Sequence, residues 1–508
     1  MTVKSKGLYQ INYNKLMIDE VLGNISAENI DMIPDSLIYQ SMEEQKTAPS
    51  SLFFIHIPKL LITGVKTPKA LLAKEISAHI IKIMNAKIEI RLSNSKNNKE
   101  TDFSKNIRDD LSQQLLVNLK SINADSVILE NAEMILKNKE NKRMRIVAQG
   151  LNIRFAGIRI DSTTQNDSSR ILFSRDLVVQ CDYLDIPFKN KVQDLQIKGL
   201  NFESQYRHFH TDKINLYPLL SETAFARSNK YAKDRFNIEL GSLDIWQLNR
   251  ESMLHQEFIA DSLTIHNASI KVFRDKSYPH DSVDRTHDFP QEAIMRLNMP
   301  LDIKKIVIKD SYIEYKEKND KSDSSGKVAF LHVYAVLNNI TNIPAQILLN
   351  NAMTLDFHAS FLNEAPLNVF MRMRLNDRNG NFSLNAKMNA LNAETLNPLL
   401  KPMALAELNK GRINSLQYFM DATNTKAKGK LILNYENISV RLLKKDEDKN
   451  KYKTKVLPTL AAGIILKDSN PKNGKTRVGN VDYNRDIHGS MFNLMWKSLL
   501  SGIKEVAL

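Results

Sequence analysis

Ile81-Lys-Ile83-Met-Asn85-Ala-Lys-Ile88-Glu-Ile90 is the stretch that decides the fold. Apolar residues alternate with polar ones on both sides of Asn85, the pattern of a half-buried strand. Ile83 and Ile88, however, are five positions apart. Side chains of a straight strand change face at every residue, so an odd spacing would send the second half to the opposite face. Asn tolerates a left-handed backbone. A bend or bulge at Asn85 would bring Ile81, Ile83, Ile88 and Ile90 back to one side.

The same arrangement recurs four more times without gaps. The second copy is Val127-Ile-Leu129-Glu-Asn131-Ala-Glu-Met134-Ile-Leu136, and the third is Leu195-Gln-Ile197-Lys-Gly199-Leu-Asn-Phe202. The fourth is Leu263-Thr-Ile265-His-Asn267-Ala-Ser-Ile270-Lys-Val272, and the fifth is Ile306-Val-Ile308-Lys-Asp310-Ser-Tyr-Ile313-Glu-Tyr315. Each centre is Asn, Asp or Gly, followed by a small residue except at Leu200. Centres lie 43 to 68 positions apart, too irregular for a strict solenoid but suited to stacked sheet units with variable insertions. The shared register and the repeated Asn-Ala pair argue against five unrelated strand corners. The expected fold is therefore mainly β: an elongated, curved antiparallel sheet of repeated strand-bend-strand units, a β-groove. Its apolar side is expected to be lined by the apolar residues of the five copies. That side is either filled by an opposing layer or left open as a groove that holds acyl chains.

Most of the remaining chain also reads as short strands. Val369, Met371, Met373 and Leu375 alternate, as do Phe382, Leu384, Ala386 and Met388, and Asn379-Gly380 between them suggests an antiparallel hairpin. Polar stretches at 93–101, 161–170, 275–288, 316–327, 444–453 and 467–477 read as exposed connections. Helical spacing is rarer. It is found at Asp102–Leu119, Ser252–Phe258 and Ala393–Leu400, and most clearly at Met491–Ile503. There Met491, Phe492, Met495, Leu499 and Ile503 share a face that Leu494, Trp496 and Leu500 widen. Such a helix would either cap the last sheet, blunting its edge, or dock on a membrane surface or a partner.

Composition narrows the class. The 508 residues are 42% hydrophobic and 25% charged, values of a folded chain, and their length suggests about three domains or fewer if one is elongated. The longest clean apolar run, Val456–Leu466, contains a proline and is far short of the roughly 20 residues of a membrane-spanning helix. Met1 leads into Thr-Val-Lys-Ser-Lys without the apolar region of a secretory signal. The net charge of +14 comes from Lys and Arg interleaved with Asp and Glu, not from a concentrated basic stripe, so no nucleic-acid partner is expected.

Signatures of catalysis are missing. The sequence contains no G-x-S-x-G, H-E-x-x-H or G-x-G-x-x-G, and Gly474-Lys475-Thr476 has Ser469 where a phosphate loop needs glycine. No enzyme activity and no cofactor are expected. His208-Phe-His210 places two imidazoles on one side of a strand, where a metal could bridge them. Beyond Asp212 no third ligand is evident, and no metal site is assigned. Cys181, the only cysteine, reads as a buried structural thiol.

The carboxy-terminal third carries a resemblance. Asn381-Phe-Ser-Leu-Asn-Ala-Lys-Met-Asn-Ala-Leu is followed by Leu396-Asn397-Pro398-Leu399-Leu400 and Gly411-Arg-Ile413. Then come Gly429-Lys-Leu431-Ile-Leu433-Asn-Tyr435 and Ile438-Ser-Val440. This order resembles the AsmA-like family of bacterial envelope proteins, and the tail from Arg485 to Lys504 resembles the ending of its Bacteroidetes members. The resemblance implies a periplasmic protein, anchored in the inner membrane in its full length, with an elongated β-groove. It further implies a non-enzymatic role in binding or conducting phospholipid or other acyl lipid between inner and outer membranes. The amino-terminal anchor of the family is not seen here, so the chain is expected to be a soluble portion of a longer protein. Residues 1–344 would form the groove region and 345–508 the AsmA-like domain. A structural or assembly factor that binds outer-membrane proteins through exposed sheet edges is the alternative.

The groove would be lined by Ile81, Ile83, Ile88, Ile90, Val127, Leu129, Met134, Leu136, Leu195, Ile197, Phe202, Leu263, Ile265, Ile270, Val272, Ile306, Ile308, Ile313 and Tyr315. Phe492, Met495, Trp496, Leu499 and Ile503 would serve docking or capping.

Overall fold

The computed structural model describes residues 7–49, 51–66, 74–92, 120–138, 145–161, 163–164, 167, 169–188, 192–320, 324–446, 451–454 and 467–507. The helical spacing at Asp102–Leu119, the polar stretch 93–101 and the whole run Val456–Leu466 lie outside these residues. The protein is mainly β, with 59% strand and 14% helix. It divides into two compact units, Met1–Asn215 with Ser242–Ile259, and Leu216–Gly241 with Ala260–Leu508. The first three repeat copies belong to the first unit. The last two belong to the second, together with the whole carboxy-terminal part. A boundary at 344/345 would cut the ladder in which Gly326–Thr341 pairs with Ala352–Phe361, Leu337 opposite Leu355.

In the first unit the strands lie side by side largely in chain order: Asn24–Pro34, Ser51–Thr63, the broken strand Glu75–Met84 and Lys87–Leu92, Ser121–Asn138, Arg145–Ile160, Asp176–Pro187, Gln193–Glu203, His208–Thr211 and Leu243–Trp246. The second unit runs from Asp234–Leu240 through Ser269–Asp275, Leu301–Lys318, Gly326–Thr341, Ala352–Phe361, Ala365–Arg374, Phe382–Met388, Ala406–Ala422 and Lys426–Asp446 to Val478–Asn484. The expected hairpin is present, with Met373 opposite Phe382.

The sheets are mixed rather than antiparallel. Copies one and two pair in parallel, as do the second half of copy four and that of copy five. Between copies four and five the connection from Lys276 to Pro300 returns the chain to the starting end before the next copy begins, so the strands run the same way.

All five centres adopt the left-handed conformation: Asn85 at φ 55°, Asn131 at 49°, Gly199 at 61°, Asn267 at 53° and Asp310 at 48°. Ladder register slips at Asn131 and at Asp310, as a bulge requires. Ala86, Ala132, Ala268 and Ser311, one residue beyond their centres, are buried. In the third copy the same position holds Leu200, half-buried against the cluster of Ala86, Ala132, Leu151 and Cys181.

The carboxy-terminal helix Met491–Ala507 lies on the second unit's sheet. Its buried stripe is Met491, Leu494, Ser498, Gly502 and Val506. Gly502 rests against Leu431 and Val481, and a Cβ on Gly479 would sit 2.2 Å from the Gly502 carbonyl oxygen. Ser498 Oγ and the buried Tyr418 hydroxyl are 2.7 Å apart, and burial pushes the Tyr418 pKa up to about 12. The helix therefore covers a face of the sheet through Met491, Leu494 and Val506, with Ser498 and Gly502 allowing close approach, and of the face read from the sequence only Met491 and Leu494 are buried. Phe492 is exposed, and Met495, Trp496, Leu499 and Ile503 are half-buried on the flank.

Two other motif residues fasten this unit. Asn397, at the Leu-Asn-Pro turn, donates from Nδ2 to the Leu408 carbonyl at 2.9 Å and accepts from the Leu408 amide at 2.8 Å. The Arg485 guanidinium donates to the carbonyls of Arg285, Thr286, Asn424 and Gly489 and stacks over Phe289.

Candidate functional site

In the first unit the bends align the repeat residues into rows across the strands. Above the bend, Leu60 faces Ile83, then Leu129, Ile153, Val179 and Phe202 follow on successive strands. Below it, Ile55 faces Ile88, followed by Met134, Ala148, Leu184 and Ile197. Between the rows runs a line of buried residues, Ala86, Ala132, Leu151 and Cys181, against which residues of both rows pack. Ile81 with Val127 and Ile90 with Leu136 extend the face outward, and Leu195 lies beside Ile197's row opposite Ile186. Both halves of a copy thus occupy one apolar face.

The second unit repeats the device. Ile308 and Ile313 flank Asp310 and pack on the same buried cluster, Val333, Ala335 and Ala359, with Phe330, Leu355 and Phe357. Ile270 pairs with Ile313 and Val272 with Tyr315, while Ile306 faces Leu337. Leu263 and Ile265 lie on the strand Phe258–His266 that leads to the Asn267 bend. Tyr315 meets the ring of Phe492 on the carboxy-terminal helix, centroids 5.8 Å apart.

Of the nineteen residues expected to line the groove, eighteen are half-buried and only Phe202, 8% exposed, is fully buried. A packed two-layer core would bury most of them, and on the charged reverse face Lys82, Glu89, Glu130 and Lys137 are half-buried as well. Partial cover of this kind arises where in-plane neighbours shield a side chain and its tip stays open.

The reverse side of the first unit's sheet carries ion pairs. Lys82 pairs with Glu130, and Glu89 accepts from Lys137 at 2.8 Å and Arg91 at 2.6 Å. Burial works to raise the Glu89 carboxyl, but the two cations hold it below its ordinary range. Cys181 belongs to the small-residue line. Burial pushes its thiol up, which suits an inert packing residue. In the second unit a depression of about 340 Å³ opens between Phe370 and Phe419 over Gly429 and Lys430. Phe370 and Phe419 alternate with the buried Met371 and Met420, so these side chains stand on the side away from the buried face.

The strand break at Asp212 forms a polar site. His210 pairs with Asp244 in the ladder, and His208 with Trp246. His208 Nε2 and His210 Nδ1 lie 3.0 and 2.8 Å from the same Asp244 Oδ1, and His210 Nε2 lies 3.3 Å from Asp212 Oδ1. Trp246 stacks on the His208 ring, centroids 3.8 Å apart. Burial works against protonation of His210, but Asp244 and Asp212 raise it above the ordinary imidazole range. Sequence spacing offers only Asp212 beside the histidines. The fold adds Asp244, 34 positions beyond His210, which only strand pairing reveals.

No family model matches the chain, and no curated protein matches it. Among the described residues no helix is long and apolar enough to cross a membrane.

Proposed function

We propose that the protein binds the acyl chains of phospholipid along the apolar face of its repeat sheets, as a non-enzymatic lipid-binding or lipid-conducting module of a cell envelope. The observation that carries this reading is the set of bends that brings both halves of each copy, with eighteen half-buried residues, to one apolar face. A ligand without polar demands along its length suits such a surface. Each methylene it withdraws from water contributes roughly 0.8 kcal/mol. The likeness of the Leu396–Leu400 turn and the glycine-led strands to the AsmA-like family supports a place between inner and outer membranes, with an inner-membrane anchor in the full-length protein.

Native mass spectrometry of the purified chain tests the proposal. Phospholipid adducts are expected at low activation energy, and they should diminish when Leu129 and Met134 are both replaced by Asp. A chain that stays free of lipid after incubation with phospholipid vesicles, or a double variant that binds as much as wild type, would contradict it. Crosslinks from the same face to unfolded outer-membrane protein chains, with none to lipid, would favour an assembly role.

A further inference from the structure

We propose that His208, His210 and Asp244 form a binding site for one late first-row divalent cation of the zinc type, with Asp212 as its positioning carboxylate. Among the described residues this is the one group of three such side chains whose ligand atoms all lie within 4.8 Å of one another. Ligands at about 2.0–2.2 Å around a tetrahedral ion are separated by roughly 3.3 Å. The two contacts to Asp244, at 3.0 and 2.8 Å, already approach that spacing. Small side-chain rotations bring the remaining pair into place.

The surroundings match what a ligating histidine needs. With Nδ1 on the ion, His210 presents Nε2–H to Asp212, the carboxylate–histidine–metal relay that fixes ring orientation and basicity. His208 is held by the stacked Trp246 ring and offers Nε2. The ion binds the lone pairs of His208 Nε2 and His210 Nδ1, and any proton displaced from these nitrogens passes to solvent. Each ring keeps its remaining nitrogen–hydrogen bond, at Nδ1 of His208 and Nε2 of His210. Two imidazoles and one carboxylate are a borderline donor set. It suits zinc, copper or nickel and not calcium or magnesium, which need six or more oxygens or several retained waters. Both flanking strands belong to the first unit, and the chain leaves that unit after Asn215 and returns at Ser242. The cation would fasten the departing strand to the returning one.

The test uses the full, untagged chain carrying Trp496→Phe, so that Trp246 is its only tryptophan. Zinc titration by calorimetry should show one equivalent bound. Cobalt should quench Trp246 fluorescence, and zinc should reverse the quenching. His210→Gln and Asp244→Asn should each weaken zinc binding at least a hundredfold, and Asp212→Asn about tenfold. Both first-named variants keep polar side chains of similar size, and circular dichroism checks their folding. If one fails to fold, His208→Asn takes its place. Absence of zinc binding by the parent chain, or equal binding by the folded ligand variants, would overturn the proposal. So would quenching by cobalt that zinc does not reverse.

Discussion

The Asn131 side-chain amide donates to the Asn85 side-chain oxygen, Nδ2 to Oδ1, at 2.8 Å across two parallel strands. Both residues are left-handed, and the backbone repeats the connection on either side. Asn85 N–H donates to Glu130 O at 2.9 Å and Glu133 N–H to Ala86 O at 2.8 Å. The second unit reproduces these backbone bonds, from Asn267 N–H to Lys309 O at 3.0 Å and from Tyr312 N–H to Ala268 O at 2.7 Å. Stacked bends are therefore the mechanical element that keeps the apolar face continuous within each unit.

Replacing Asn131 by Val should destabilise the chain by about 2–3 kcal/mol. A β-branched residue pays for the left-handed conformation and leaves Asn85 without its partner. Asn131→Gly should recover most of the conformational part. Urea unfolding of the two variants checks the order.

Ala132 is fully buried inside a bend, so Ala132→Leu should cost about 1–3 kcal/mol by overpacking, whereas Asn85→Gly at the exposed bend should cost less. Thermal unfolding of the first unit's variants reads the difference.

The carboxy-terminal helix depends on the close approach of Gly479 and Gly502. Gly479→Val should lift the helix, expose its seat on Tyr418 and Leu431, and speed proteolysis of the tail severalfold. Tyr418→Phe should cost only about 1 kcal/mol, because Ser498 keeps its bonds to the Leu494 and Met495 carbonyls. Limited proteolysis followed by mass spectrometry separates the two effects.

Asp281 accepts two hydrogen bonds from Arg285, at 2.7 and 2.8 Å, which hold its carboxyl at about 2. A depressed carboxyl stabilises the fold above its unfolded value near 3.9, and that contribution is lost as pH falls towards about 2. Asp281→Asn should therefore cost about 1–2 kcal/mol at pH 7 and almost nothing near pH 2. Denaturant titrations at the two pH values measure this directly.

The bends were legible because residue type, spacing and backbone chemistry agree. Asn, Asp or Gly stands where an odd apolar spacing demands a change of face, and each such residue has positive φ. Three features were not legible. The parallel pairing of neighbouring copies depends on where the insertions carry the chain, which alternation does not encode. The seat of the last helix escaped because hydrophobicity points to Phe492, Met495 and Trp496, whereas the close approach is made by Ser498 and Gly502, whose value is their lack of bulk. Asp244 joins His208 and His210 only through a ladder between distant segments.

The central claim is that the apolar face receives lipid. Photocrosslinking groups placed at Ile265 and Ile308, each two residues before its bend centre in the second unit, test it most directly in cells. Phospholipid adducts at both positions, absent from a probe at the exposed Lys305 on the opposite face of the strand, are the predicted result. Adducts confined to polypeptide, or lipid adducts equally frequent at all three positions, would contradict it.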